Sequence, residues 1–211
     1  MELIKENYIN FLNDLKFSSD EIKNQIKDYK LQFIKIINSE IEDGLRLTPF
    51  IKTFYFYLLE YGKIPSQKEF WEEYQKEKSI EKILLDKNKF DGLKARVYRV
   101  YPSLIRDIHF STLLKEKSKN CEVIYNIDLD YTNGIDILID YKSNLFGVNL
   151  FVDTDRSNSY RNKKFGRHKK ITNVYNIDIP VKFTEEYKFY DFYLYGENEI
   201  EKIKKEIIKQ I

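Results

Sequence analysis

An α+β or α/β fold is predicted, a helical N-terminal region packed on a mixed-sheet core, and two observations predict it. Apolar residues recur three and four apart as far as about Lys119, then alternate as in strands from Cys121 onward. A last stretch, Glu197 to Ile211, returns to helical spacing through Ile200, Ile203 and Ile207. Helices first and a sheet with flanking helices after is a plan of this class. The expected division is a helical region over residues 1–100 and a core over residues 101–211.

In chain order, Glu2 to Leu15 spaces Leu3, Tyr8, Phe11, Leu12 and Leu15 for a first helix. Ser18-Ser19-Asp20-Glu21 then supplies an N-cap with carboxylates in the first turn, where the positive helix end favours them. The helix it opens carries Ile22, Ile26, Tyr29, Phe33, Ile36 and Ile37 on one stripe, with Gly44 closing it. A third helix starts at Thr48-Pro49 and runs to Tyr61-Gly62. Ser66 with Glu69 is a capping box, and it opens a helix through Phe70, Trp71 and Tyr74. Residues 50–77 therefore have the outline of a helix-turn-helix. Glu69, Glu72, Glu73 and Glu77 oppose phosphate binding there, so ordinary packing is the favoured reading. Lys89 to Lys117 is helical, broken or restarted at Pro102.

The composition bounds the function classes. Hydrophobic residues at 42% with 33% charged give a real core and exclude a disordered chain. A net charge of +2 does not by itself imply nucleic acid. One cysteine, Cys121, allows no internal disulfide, and no Cys/His cluster suits structural zinc. With neither a signal sequence nor the ~20 apolar residues a membrane helix needs, the expected location is cytoplasmic. The 17 Tyr and 15 Phe accompany abundant Lys, Ile and Asn, all encoded by AT-rich codons, so they do not argue for base stacking. Nucleotide-binding glycine motifs and a G-x-S-x-G elbow are missing, and Cys121, His109 and His168 have no evident catalytic partners.

Gly134 to Thr154 is the most informative stretch. It reads as a hairpin turning at Ser143-Asn144, which would set Asp136 opposite Phe151 and make Asp136 and Asp153 diagonal neighbours. Such diagonals lie ~7–8 Å apart, near enough for two carboxylates to share a divalent ion. Ile135, Ile137, Ile139, Val148, Leu150 and Val152 form the opposite, apolar face. Asp155 to Lys170 follows with seven cations (Arg156, Arg161, Lys163, Lys164, Arg167, Lys169 and Lys170) against one carboxylate, a local charge of +6 that also contains His168. A cation cluster beside a metal site suits a phosphodiester substrate.

From Ser103 to Tyr195, the order of helix, strand, Asp-bearing strand, antiparallel strand with a second acid, and basic segment resembles the PD-(D/E)xK restriction-endonuclease-like superfamily. Asp136 in Gly-Ile-Asp matches the first acid of its motif, and Asp153 in Val-Asp-Thr-Asp the second. Glu116 stands where many members carry an extra carboxylate. Asp155 occupies the place of the motif Lys, whose role would pass to Arg156, Lys163 or Lys164. The resemblance implies a nuclease, with DNA the expected substrate. Asp136, Asp153 and Glu116 would hold Mg²⁺ or Mn²⁺, while Arg156, Lys163 and Lys164 would meet the scissile phosphate. Arg161, Arg167, His168, Lys169 and Lys170 would bind the nucleic-acid backbone, and pairing as a homodimer is left open. Two alternatives stand beside it: a non-catalytic nucleic-acid binder with a degenerate nuclease fold, and a protein-interaction or regulatory subunit.

Overall fold

The structure is a computed structural model, and it describes residues 10–44, 47–155 and 171–211. The chain divides into two compact units: a helical one, Leu15–Arg106 with Phe189–Phe192, and one of Met1–Asp14, Asp107–Lys188 and Tyr193–Ile211 that carries the sheet.

In the helical unit both predicted N-termini form as capping boxes. Ser18 Oγ accepts from the Glu21 N–H at 3.2 Å while the Glu21 carboxylate accepts from the Ser18 N–H at 2.7 Å, opening α1 (Ser19–Ile26). Ser66 and Glu69 do the same at 3.3 and 2.7 Å, opening α3 (Gln67–Tyr74). Between them α2 (Phe50–Tyr61) starts after Pro49 and stops at Gly62, whose φ of 60° is the left-handed stop that favours glycine. α2 and α3 bury their aromatic sides together: Phe54 meets Phe70 edge-on at 5.5 Å, and Phe50 meets Tyr74 at 4.8 Å. Phe70, Trp71 and Tyr74 are thus core, as ordinary packing requires.

The long stripe expected from Ile22 to Ile37 is not a helix. α1 ends at Ile26, and Phe33 and Ile37 are 70% and 71% exposed. Side chains from elsewhere in the unit take up the backbone groups a helix would have used. The Leu31 N–H donates to Asp191, the Gln32 N–H to Gln67 Oε1, and Arg99 donates to the Ile34 and Ile36 carbonyls. The chain turns again over Glu40–Gly44, where Arg96 reaches the Ile41 carbonyl and Arg99 pairs with Glu42. The segment expected to be a first helix lies mostly outside the described residues, and its end is a single turn, Phe11–Asn13.

After the short α4 (Glu81–Leu84), α5 runs unbroken from Lys87 to Lys117, with Pro102 inside it. Proline lacks the N–H that would bond the carbonyl four residues back, normally at a cost of ~3 kcal/mol or more. That carbonyl belongs to Tyr98, and Gln67 Nε2 donates to it at 2.9 Å. The same amide group serves Gln32, its Nε2 donating to the carbonyl at 3.1 Å. A side chain on α3 therefore supplies the missing donor, which is why the helix does not restart at Pro102.

In the other unit, β1 (Glu122–Ile124), β2 (Ile137–Tyr141), β3 (Asn144–Val152) and β4 (Val174–Val181) form a sheet in that order. β1–β2 and β2–β3 are antiparallel and β3–β4 is parallel, giving the mixed sheet that was predicted. β4 runs through Pro180 to Val181 rather than ending before it, since an edge strand tolerates a missing N–H. One sheet face is apolar along its length, burying Ile137, Ile139, Phe146, Val148, Ile177 and Ile179. β5 (Lys188–Phe189) and β6 (Phe192–Tyr193) make a two-stranded ribbon, and α6 (Glu197–Gln210) buries Ile200, Ile203 and Ile207. Among the described residues no helix is long and apolar enough to cross a membrane.

Gln67→Ala is expected to cost about 2–3 kcal/mol, the loss of donors to buried carbonyls. In a Pro102→Ala background the cost should drop by about 1 kcal/mol, because an N–H at residue 102 then serves Tyr98. Urea unfolding of the four proteins measures this, and equal costs in both backgrounds would sink the account.

Candidate active site

The hairpin turns one residue earlier than expected. Lys142 and Ser143 form the turn, with φ of 50° and 64°, and Tyr141 pairs with Asn144. Two successive residues in the left-handed region are the signature of a type I′ turn, whose twist suits antiparallel strands. The pairing continues Asp140↔Leu145, Ile139↔Phe146, Leu138↔Gly147 and Ile137↔Val148. The ladder ends there, and the Asp136 carboxylate meets the N–H of Leu150, the residue after Asn149, rather than pairing with Phe151. Moving the turn by one residue shifts the pairing by two, so the side chains from Ile137 to Val148 keep their predicted faces while their partners change.

Asp136 stands just before β2, tied to β3 and next to a buried anchor. Its carboxylate Oδ2 accepts from the Leu150 N–H at 2.8 Å. The residue before it, Ile135, is buried with Leu138, Leu145, Ile124 and Leu129, on the face opposite to that of Ile137. The expectation that Ile135 joins Ile137 fails because the chain enters β2 only at Ile137, so strand alternation does not yet apply. Gly147 makes room for it: a Cβ there would stand 3.1 Å from Ile135 Cδ1 and 3.1 Å from Val174 Cγ1.

On β3 the residue before Leu150 is an amide. Asn149 pairs in parallel register with Asp178 of β4, and Asn149 Nδ2 donates to Asp178 Oδ1 at 3.0 Å. Asn149 Oδ1 is buried and has no hydrogen-bond partner among the described residues. Asp136, just before β2, is thus joined to β3 at Leu150, and the neighbouring Asn149 is joined to Asp178 of β4. Neither Asn149 nor Asp178 was singled out from the sequence, though a signal was there. Ile177-Asp178-Ile179 repeats the Ile135-Asp136-Ile137 pattern, one carboxylate within an apolar strand.

The other expected carboxylates lie apart. Asp153 is four residues beyond Asn149, roughly 13 Å along a strand, so it is not the diagonal neighbour of Asp136. Past the end of β3 its N–H donates to the Val181 carbonyl at 2.9 Å, and its carboxylate lies 3.8 Å from Lys182 Nζ. Glu116 is exposed in the last turn of α5. Among the described residues no three His, Cys, Asp or Glu side chains form a group able to hold a metal, so Asp136, Asp153 and Glu116 are not gathered. Asp155 is the last described residue before the basic segment. Arg156, Arg161, Lys163, Lys164, Arg167, His168, Lys169 and Lys170 lie outside the described residues. A cleft of this unit, about 660 Å³, is lined instead by Lys115, Lys119, Glu122 and Asp140 and includes neither Asp136 nor Asn149. There Lys115 Nζ is already engaged by the Leu12 carbonyl and Asn13 Oδ1, at 2.8 and 3.1 Å.

The family model described as TaqI restriction endonuclease matches residues 25–192, which include α2 to α5, the whole sheet, Asp136, Asn149 and Asp178. No curated protein and no solved structure matches the chain.

Gly147→Val is expected to push Ile135 off the sheet and to destabilise the protein by about 1–3 kcal/mol, the usual cost of overpacking. Chemical denaturation checks it, and a variant as stable as wild type would show that Ile135 does not anchor Asp136 through this gap.

Proposed function

Because the chain belongs to the TaqI restriction endonuclease family, we propose that it is a metal-dependent endonuclease hydrolysing the phosphodiester bonds of DNA, in a restriction or defence role. Its restriction-endonuclease-like α+β fold and its place among nucleases acting on DNA come from that membership. Metal dependence and the residue roles are the reading offered here. The observation that carries it is Asp136, fixed by the Leu150 amide beside the buried, unpartnered oxygen of Asn149.

That pair suits Mg²⁺ or Mn²⁺. Mg²⁺ takes oxygen ligands, keeps several waters, and is commonly bound through only one or two carboxylates. The Asp136 carboxylate and Asn149 Oδ1 would hold it, and a buried oxygen without a donor is the group a cation would satisfy. When bound, the ion polarises a phosphate oxygen and lowers the pKa of a water. The chain's own part is to keep the Asp136 carboxylate fixed and charged, its orientation set by the Leu150 N–H rather than by the substrate. Arg156, Lys163 and Lys164 are assigned to the scissile phosphate, and Arg161, Arg167, His168, Lys169 and Lys170 to the flanking backbone, on charge alone. Asp153 and Glu116 stay outside the metal set, the first because of register and the second because of its place on α5. A double-strand break needs two such sites, which a homodimer would supply.

One observation favours a second reading, a binder that does not cut. Counted from Asn149, next to the Leu150 N–H that holds Asp136, acid-x-Lys reads Asn149-Leu150-Phe151, an amide for the acid and a phenyl ring for the lysine.

Plasmid cleavage with Mg²⁺ or Mn²⁺ separates the two. Wild type should cut, Asp136→Ala should lose on the order of 100-fold or more, and Asp153→Ala should stay within a few-fold. DNA binding by wild type without cutting would transfer the case to the binder. Loss of cutting in Asp153→Ala but not in Asp136→Ala would overturn the ligand assignment.

A further inference from the structure

We infer that Asp178 is a positioning residue, which fixes the Asn149 amide so that its oxygen rather than its NH₂ faces Asp136 and the metal. The inference rests on the metal-dependent reading above. A primary amide has an acceptor end and a donor end that diverge by about 120°, and a strand residue between two carboxylates could present either end to either side. Asn149 bonds Asp178 across β3–β4, and the N–H of the next residue, Leu150, holds the Asp136 carboxylate. Its NH₂ is taken by Asp178 Oδ1 at 3.0 Å, so Oδ1 is turned away from β4. The reverse orientation would set the amide oxygen against the Asp178 carboxylate, acceptor against acceptor. Asp178 therefore selects one of two orientations that are otherwise nearly equal in shape.

The selected orientation has a cost that only a ligand relieves. Asn149 Oδ1 is buried and has no hydrogen-bond partner among the described residues. An ionised carboxylate at Asp136 cannot donate to it. A buried acceptor left in this way is unfavourable, and a hard cation coordinated by both oxygens removes the penalty. Asp178 also strengthens the ligand it orients. A charge-assisted N–H···O⁻ bond draws positive character onto the amide nitrogen, and electron density moves to Oδ1, where the ion would bind. The negative charge that a second acid on β3 would bring is thus held one strand away and acts through a neutral amide.

The experiment is Mn²⁺ binding to the intact protein by isothermal titration, with thermal melts in the absence of metal to follow folding. Wild type should bind, and Asp136→Ala should abolish binding. Asp178→Ala should weaken binding by about ten-fold or more, as expected when the partner that orients a ligand is lost. The double variant Asn149→Asp/Asp178→Ala should recover wild-type affinity, since a carboxylate at residue 149 presents an oxygen in either orientation. Unchanged binding in Asp178→Ala would overturn the inference while leaving the Asp136 site intact. Failure of the double variant to recover would also overturn it, making Asp178 itself a ligand or a structural residue. Absence of Mn²⁺ binding in wild type would overturn the metal-dependent reading, and this inference with it.

Discussion

The candidate site depends on the register of one hairpin, and that register is fixed by a two-residue turn of unfavourable residues. Lys142 and Ser143 both sit in the left-handed region, where a side chain costs roughly 1–2 kcal/mol per residue and glycine or asparagine is the common choice. The strands override that cost. Ile137, Ile139, Phe146 and Val148 bury one face of the hairpin, while Leu138 and Leu145 bury part of the other. A slip of one residue would turn both sets over, exposing the isoleucines and burying Asp140 and Asn149. Because the alternation tolerates only even shifts, it selects the turn, and the turn then selects which residue of β3 meets Asp136.

The same reasoning shows what was legible in the sequence. Local chemistry with a short reach was readable: the Ser18 and Ser66 caps, the Gly62 stop, and the apolar hairpin face from Ile137 to Val148 appear as the residues indicate. Asp136 was readable as well, because a carboxylate among Ile135, Ile137 and Ile139 is costly there without a partner. Features decided by distant groups were not. Helical spacing continues through Phe33 and Ile37, yet Gln67, Arg99 and Asp191 capture the backbone in between, and propensity loses to those bonds. Pro102 is a breaker by any local rule, and a glutamine 35 residues earlier cancels it.

The turn error was small in sequence and large in consequence. Asn144 invites a turn at Ser143-Asn144, but as the first residue of β3 it pairs with Tyr141. Within the paired strands the predicted faces survived because the shift in pairing was even; the predicted partners and the face of Ile135 did not. Asp153 gave way to Asn149, and with Asn149 came Asp178, which no local pattern ties to Asp136 because β4 is brought beside β3 only by a parallel crossover.

The arrangement that results has an electrostatic logic different from the one expected. Two carboxylates facing each other at one ion repel when the ion is absent, and one of them then tends to hold a proton. With an amide in place of the second acid that repulsion is reduced. The second negative charge sits on Asp178, an exposed edge-strand residue where solvent screens it. The cost moves elsewhere: a neutral oxygen binds a cation less strongly than a carboxylate does, and it must be held the right way round. A metal site built so would exchange charge density for orientation, and its affinity would depend on a hydrogen bond between neighbouring strands as much as on the ligands themselves.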